Sequence, residues 1–194
     1  MIVVGLTGGA GVGKDTVADY LVNRWGYEKL SLAAPLKHVL LQQDPIIGMD
    51  LYFPGMPLHL SQALKLYGGE DGVKKLFPLY RRYLQRLGTE GIRELDPDFW
   101  INAARKSLTN QAGKYVFTDV RFPNEAEFIG DCRGSLWQID GPRRRDGGAH
   151  VSEDWAGRLG EAFYVANSGS IDKLYTEVDY VLGLMNWKWK VSAA

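Results

Sequence analysis

A chain of 194 residues, 45% hydrophobic and 24% charged, holds enough apolar material for one well-buried domain with a small insertion. Lys+Arg and Asp+Glu each number 23, so no global field favours a nucleic-acid polymer or an anionic membrane, and no run approaches the length of a membrane span. The single cysteine, Cys132, excludes an internal disulfide, and the amino terminus MIVVGLTGG lacks the basic segment of a secretory signal, so a reducing, cytoplasmic setting fits best.

In chain order, IVVGL (2–6) is a short apolar run closed by glycines, the pattern of a buried strand. GLTGGAGVGKDT (5–16) overlaps it and comes close to the phosphate-binding pattern G-x-x-x-x-G-K-[ST]. Gly8, Gly13 and Lys14 fit, but Asp15 stands where the hydroxyl belongs and Thr16 arrives one place late. Val17, Ala18, Leu21, Val22 and Trp25 then recur at helical spacing, with Gly26 as a stop. Strand, glycine loop and helix therefore stand in the order that such a loop requires. YEKLSLA (27–33) reads as a second strand, and a helix begins near Pro35. Residues 44–60, rich in Pro and Gly, read as a loop, and about 58–110 as mainly helical.

KYVFTD (114–119) and SLWQID (135–140) read as strands, with a helix after Pro123 between them. FYVAN (163–167) is a last core strand, and Ile171, Leu174, Tyr175, Val178, Leu182 and Met185 mark a closing helix. Strands alternating with helices predict an α/β fold: a mainly parallel sheet of about five strands, covered on both faces as three α/β/α layers. The core would comprise about 1–43 and 111–194, with a helical insertion over about 44–110 and a short lid over about 141–157.

The glycine loop carries the clearest chemistry. Glycines let a backbone wrap around phosphate oxygens and present successive N–H groups to them, and the following helix adds the positive end of its dipole. Gly9, Ala10, Gly11, Val12 and Gly13, with Lys14, Asp15 and Thr16, are thus candidates to hold ATP, Lys14 reaching its outer phosphates. Asp15 is either an acid that holds Mg²⁺, directly or through water, or an exposed acid at a helix start. Asp119 ends an apolar strand, and so reaches the sheet edge where ligands sit in such folds. There it could hold Mg²⁺, and Arg121 could grip a phosphate; otherwise both pair with other charges and Asn124 caps a helix.

Three further stretches are open to a functional or a structural reading. In RRYLQRLGTEGIRE (81–94), Tyr83, Leu84 and Leu87 form one helical face with Tyr80. Arg82, Gln85 or Arg86, Thr89 and Arg93 form the other, suited to a nucleotide or simply solvated. GPRRRDGGAHVSE (141–153) offers three arginines and His150, as a solvated run or as cations for a transferring phosphate. Asn167, with Ser168 and Gly169, either touches a nucleotide base or caps the last helix. The tail NWKWK is thin support for nucleic-acid binding and is better suited to packing.

Together these stretches resemble the bacteriophage-type deoxynucleoside monophosphate kinases. The resemblance is carried by GLTGGAGVGKDTVADYL (5–21), SLAAPLK (31–37), LQRLGTEGIR (84–93), DVRFPNEAE (119–127), HVSE (150–153) and NSGS (167–170), in the family's order. G-K-D-T is itself a feature of that family, so Asp15 departs from the general pattern and matches the family's variant. SLAAPLK lacks the acid that the family often has before the proline.

The resemblance implies a P-loop NTPase fold and transfer of a phosphoryl group from ATP, with Mg²⁺, to a deoxynucleoside monophosphate. It implies catalytic roles for Lys14, Asp15, Arg121 and one of Arg143–Arg145, with Arg144 in the middle. ATP would be held by the loop and Asn167, and the metal by Asp15 and Asp119. The acceptor would meet Lys37, Arg82, Gln85, Thr89, Glu90, Asp119, Arg121, Glu125 and His150. The partners are small molecules, with a homodimer left open, no polymer and no membrane; a phage-encoded chain would work in the host cytoplasm. Dephospho-CoA kinase shares the G-L-T-G-G opening, but its loop usually continues G-K-S. A non-kinase P-loop ATPase or nucleotide-binding protein is the other alternative, though no guanine-reading N-K-x-D appears.

Overall fold

The computed structural model describes residues 1–142, 159–160 and 163–192. The elements in chain order are β1 (Ile2–Thr7), α1 (Lys14–Trp25), β2 (Glu28–Leu30), α2 (Ala34–Gln43), β3 (Ile46–Met49), β4 (Pro57–His59), α3 (Leu60–Leu66), α4 (Gly69–Leu76) and α5 (Pro78–Gln85). There follow a π-helix (Arg86–Arg93), α6 (Phe99–Arg105), β5 (Lys114–Phe117), α7 (Pro123–Asp131), β6 (Ser135–Asp140), β7 (Phe163–Ala166) and α8 (Ile171–Ser192). They form two compact units, Met1–Leu32 with Ala104–Ala194, and Ala33–Ala103.

The first unit holds a parallel five-stranded sheet in the order β2-β5-β1-β6-β7. Central β1 pairs on one side with β5, Ile2 opposite Lys114, and on the other with β6, Val4 opposite Ser135. Because helices cover both faces, β1 is a continuous apolar run rather than an alternating one: Val3, Val4 and Leu6 are wholly buried. On one face Val4 and Leu6 pack with Val17, Ala18 and Leu21 of α1 and with Leu174, Val178 and Val181 of α8. On the other face lies Gly5, where a Cβ would come within 2.8 Å of Ile129 on α7. Each of these buried valine and leucine side chains contributes about 1.5–3 kcal/mol relative to exposure.

Helix α1 stops where the sequence suggests: Gly26, at φ +70°, donates its N–H to the carbonyls of Leu21 and Val22. Strand β2 is shorter than the predicted 27–33, because Ser31 and Leu32 turn aside to bond the Asp119 carboxylate.

In the second unit Leu36, Leu40, Ile47, Leu58, Leu60, Tyr67, Phe77, Tyr80 and Trp100 build a separate core. The loop expected over 44–60 is corrected here: β3 and β4 pair antiparallel, with only 50–56 left as their connection. The strands each turn one large residue inward, Ile47 and Leu58, which is too little alternation to outweigh the turn-forming prolines and glycines around them. Asp44 secures the hairpin's base by accepting hydrogen bonds from the N–H and hydroxyl of Ser61, and the backbone bond holds its carboxyl below the usual carboxylate range. No described helix is long and apolar enough to cross a membrane.

Candidate active site

The glycine loop, 8–13, joins the carboxyl end of β1 to α1. Gly8 at φ +137° and Gly13 at φ +104° occupy backbone space that side chains resist, and neither has room for a Cβ. At Gly8 a Cβ would sit 2.4 Å from the Ile139 carbonyl oxygen on β6; at Gly13 it would sit 2.6 Å from Nδ2 of Asn167. Val12, 2% exposed, pins the loop into the sheet core.

Lys14 opens α1 and bends back across the loop, its Nζ donating to the carbonyls of Gly8 at 2.8 Å and Gly9 at 2.7 Å. A bent backbone, a helix start and a lysine thus converge as a cradle for a polyphosphate. ATP fits this donor set. Ala10 and Gly11 lie on the exposed outer turn, and Thr16 is half-buried in the first turn of the helix.

Asp15 projects outward, its side chain 78% exposed, with Oδ1 3.0 Å from Nζ of Lys29. The same ammonium reaches Asp19 at 2.9 Å. Burial alone would pull the Lys29 ammonium down, but the hydrogen bonds and charges of Asp19 and Asp15 outweigh it and leave its pKa raised. Sequence reasoning missed Lys29, because it meets Asp15 and Asp19 only once β2 folds back along α1.

Asp119, half-buried, accepts a hydrogen bond on each oxygen: Oδ2 from the Ser31 hydroxyl at 2.7 Å, Oδ1 from the Leu32 N–H at 2.8 Å. It therefore ties the end of β2 to the segment after β5. Arg121 is exposed, and its backbone N–H donates to Oε2 of Glu125 at 2.7 Å. Phe122 donates its N–H to the same oxygen at 3.1 Å. Glu125 is 4% exposed, so its carboxylate, expected to meet the acceptor, faces the backbone that carries Arg121. The cap of α7 is Phe122 with Glu125, not Asn124. For Asn167 the alternative of capping the last helix is corrected: Ser170 Oγ accepts from the Lys173 N–H there. Asn167 instead donates its side-chain amide to the Val12 carbonyl at 2.9 Å.

Among the described residues no three His, Cys, Asp or Glu side chains gather as a metal cage. Mg²⁺ is commonly held by one or two carboxylates together with substrate phosphates, so Asp15 and Asp119 beside a phosphate cradle suit it chemically.

Lys37, Arg82, Gln85, Thr89 and Glu90 sit on the second unit. Lys37 on α2 pairs with Glu70 at 3.0 Å, which also holds Lys74 at 2.6 Å. Arg82 and Gln85 are exposed near the end of α5, and Thr89 and Glu90 follow in the π-helix, where Arg86 lies 3.8 Å from Glu90. The α-helical stripe read through 81–94 is corrected from Arg86 onward, since i→i+5 bonding changes which side chains align. Its apolar half still faces inward, with Tyr80 buried and Tyr83, Leu84 and Leu87 packed on the unit's core. Trp100, 5% exposed, donates its indole N–H to the carbonyl of buried Gly88 at 2.9 Å, inside the widened turn. Arg144 and His150 lie outside the described residues.

Comparison with known proteins bears on what this cradle serves. No protein-family model matches the chain. A protein of Acanthamoeba polyphaga mimivirus named "Putative deoxynucleotide monophosphate kinase" is 30% identical over 194 residues, covering 92% of this chain and 94% of that one. The chain belongs to the same family, the deoxynucleotide monophosphate kinases. The deoxynucleoside-5′-monophosphate kinase of Escherichia phage T5 is 29% identical over 66% of this chain and 71% of its own. Among solved structures, a gluconokinase from Sinorhizobium meliloti 1021 shares the fold at a TM-score of 0.51 and 13% identity, covering 99% of this chain and 97% of that one. The fold of this kinase is thus that of the P-loop kinases, a family that uses ATP and acts on small molecules.

Proposed function

We propose that this kinase transfers the γ-phosphoryl group of ATP to the 5′-phosphate of a deoxynucleoside monophosphate, giving the diphosphate and ADP. The observation that carries the reading is the likeness to the mimivirus protein along nearly the whole chain. The attacking oxygen belongs to a phosphate already ionised at neutral pH, so no strong general base is needed. Catalysis then rests on positioning and on offsetting charge.

In this reading the backbone of 9–13 and the start of α1 hold the donor's phosphates. Lys14 exchanges the carbonyls of Gly8 and Gly9 for phosphate oxygens. Arg121, with Arg144 or a neighbouring arginine, offsets charge on the group in flight. Asp15 and Asp119 hold Mg²⁺, which when bound neutralises phosphate charge. Lys37, Arg82, Gln85, Thr89, Glu90 and His150 receive the acceptor, and Glu125 acts by fixing the backbone of Arg121.

The test is ADP release from ATP with Mg²⁺ and each deoxynucleoside monophosphate in turn, with dephospho-CoA as a further acceptor. Turnover with at least one deoxynucleoside monophosphate is expected, and lost in Lys14→Ala. Turnover with dephospho-CoA alone would overturn the reading, as would ATP hydrolysis that responds only to a nucleic-acid polymer.

A further inference from the structure

We infer that Asn167 is a positioning residue of the phosphate-binding loop, tying it to the ends of β6 and β7, and not a reader of the donor's base. The inference rests on the loop holding the donor's phosphates.

Asn167 directly follows β7, whose last residue, Ala166, lies opposite Asp140 on β6. Its own N–H donates to the Asp140 carbonyl at 2.6 Å, extending the strand pairing one step and fixing its Cα against the sheet. From that anchor the side-chain amide crosses to the loop and donates to the Val12 carbonyl. A carbonyl can only accept, so the amide must turn its nitrogen toward Val12.

Two backbone segments, the loop and the exit of β6, close around Asn167. A Cβ on Gly13 would collide with Nδ2 at 2.6 Å, and one on Gly141 would lie 3.0 Å from the Asn167 carbonyl and 3.1 Å from that of Val12. Side chains are therefore unwelcome both on the loop and at the exit of β6. Val12 is gripped at both ends, its side chain by the core and its carbonyl by Asn167.

The consequence follows from peptide geometry. In a planar trans peptide the C=O and the next N–H point in opposite directions. By drawing the Val12 carbonyl toward β7, Asn167 aims the Gly13 N–H away from β7. It thereby sets the orientation of the Val12–Gly13 peptide, one residue ahead of Lys14. The Val12 bond occupies one of the two amide hydrogens, and a residue that also read the base would turn its remaining hydrogen or its oxygen to the ligand.

The experiment compares wild type with Asn167→Ala and Asn167→Asp. It measures KM for ATP, KM for GTP, KM for the acceptor, and the affinity for inorganic tripolyphosphate, which has no base and needs no acceptor. Loss of one such hydrogen bond is expected to weaken ATP, GTP and tripolyphosphate by the same factor, about five- to tenfold. The acceptor KM should stay put, and the aspartate variant should be worse, because its carboxylate would face a carbonyl oxygen. An altered ATP-to-GTP preference with unchanged tripolyphosphate affinity would overturn the inference in favour of base reading. Unchanged donor parameters would overturn it outright. Should Asn167→Ala fail to fold, Asn167→Ser, too short to reach Val12, decides by the same measurements. Because tripolyphosphate reports on the loop alone, its result stands even if the acceptor is not a deoxynucleoside monophosphate.

Discussion

The indole of Trp100 offers the sharpest test of how the proposed acceptor side of the kinase is built. A π-turn leaves carbonyls out of α-helical register, and the Gly88 carbonyl is satisfied by the Trp100 N–H at 2.9 Å within a buried environment. Trp100→Phe keeps most of the ring but removes the donor. Leaving a buried carbonyl without a partner costs about 1–3 kcal/mol, and the lost ring volume adds roughly 1 kcal/mol. A total of about 2–4 kcal/mol corresponds to a fall of about 4–16 °C in Tm for a chain of this size. The turn also carries Thr89 and Glu90, so its relaxation should raise the acceptor KM several-fold while the ATP KM holds. Differential scanning calorimetry and steady-state kinetics check both halves. A Tm within 2 °C of wild type, with the acceptor KM unchanged, would refute the claim that this hydrogen bond maintains the turn.

Two other outcomes follow from the geometry. Gly8→Ala places a methyl 2.4 Å from a backbone oxygen of β6 at φ +137°, so calorimetry should show at least tenfold weaker ATP binding; wild-type affinity would mean that the loop can re-form. Burial pushes the Glu70 carboxyl up, but its bond to Lys74 and the charges of Lys37 and Lys74 outweigh that and hold its pKa low. A depressed folded pKa contributes stability above the ordinary glutamate value of about 4.3 that is lost as pH falls through the folded value. Glu70→Gln should therefore lower Tm at pH 7, and the gap should close in acid; a gap independent of pH would count against the ion pairs.

What the sequence revealed is what local pattern controls. β6 was legible to the residue, 135–140, and β1 to within one, because buried parallel strands are near-continuous apolar stretches bounded by glycine or polar residues, broken in β6 by half-buried Gln138. The loop was legible because its glycines and lysine are fixed in spacing by backbone geometry. The hairpin of β3 and β4 was not, since Ile46–Met49 and Pro57–His59 are too short to show a period. The π-helix was hidden for a different reason: Tyr80, Tyr83, Leu84 and Leu87 fit an α-helical face, and the Gly88 carbonyl's partner, Trp100, lies 12 residues further on. Lys29, Ser31 and the Asn167–Val12 bond are long-range. Ser31 and Asp119 are 88 residues apart and Asn167 and Val12 155, so no periodicity in either segment could announce the partnership.

The two acids proposed for Mg²⁺ differ physically, and the difference yields a last prediction. Asp119 is half-buried with each oxygen accepting a hydrogen bond from the β2 end, so it would meet a metal at a fixed place with little reorganisation. Asp15 is exposed and shares its Oδ1 with the Lys29 ammonium at 3.0 Å. A cation already at that oxygen competes with any other. If Asp15 contributes to holding Mg²⁺, Lys29→Met should remove the competitor and lower the half-saturating Mg²⁺ concentration. An exposed pair is worth about 0.2–1 kcal/mol, which limits the fall to about fivefold. Asp19→Asn frees Lys29 to lean further on Asp15 and should shift the requirement the opposite way. Titrating Mg²⁺ at saturating ATP reads both variants. A half-saturating concentration that stays constant in both would remove Asp15 from the metal and leave it the role of orienting water or substrate.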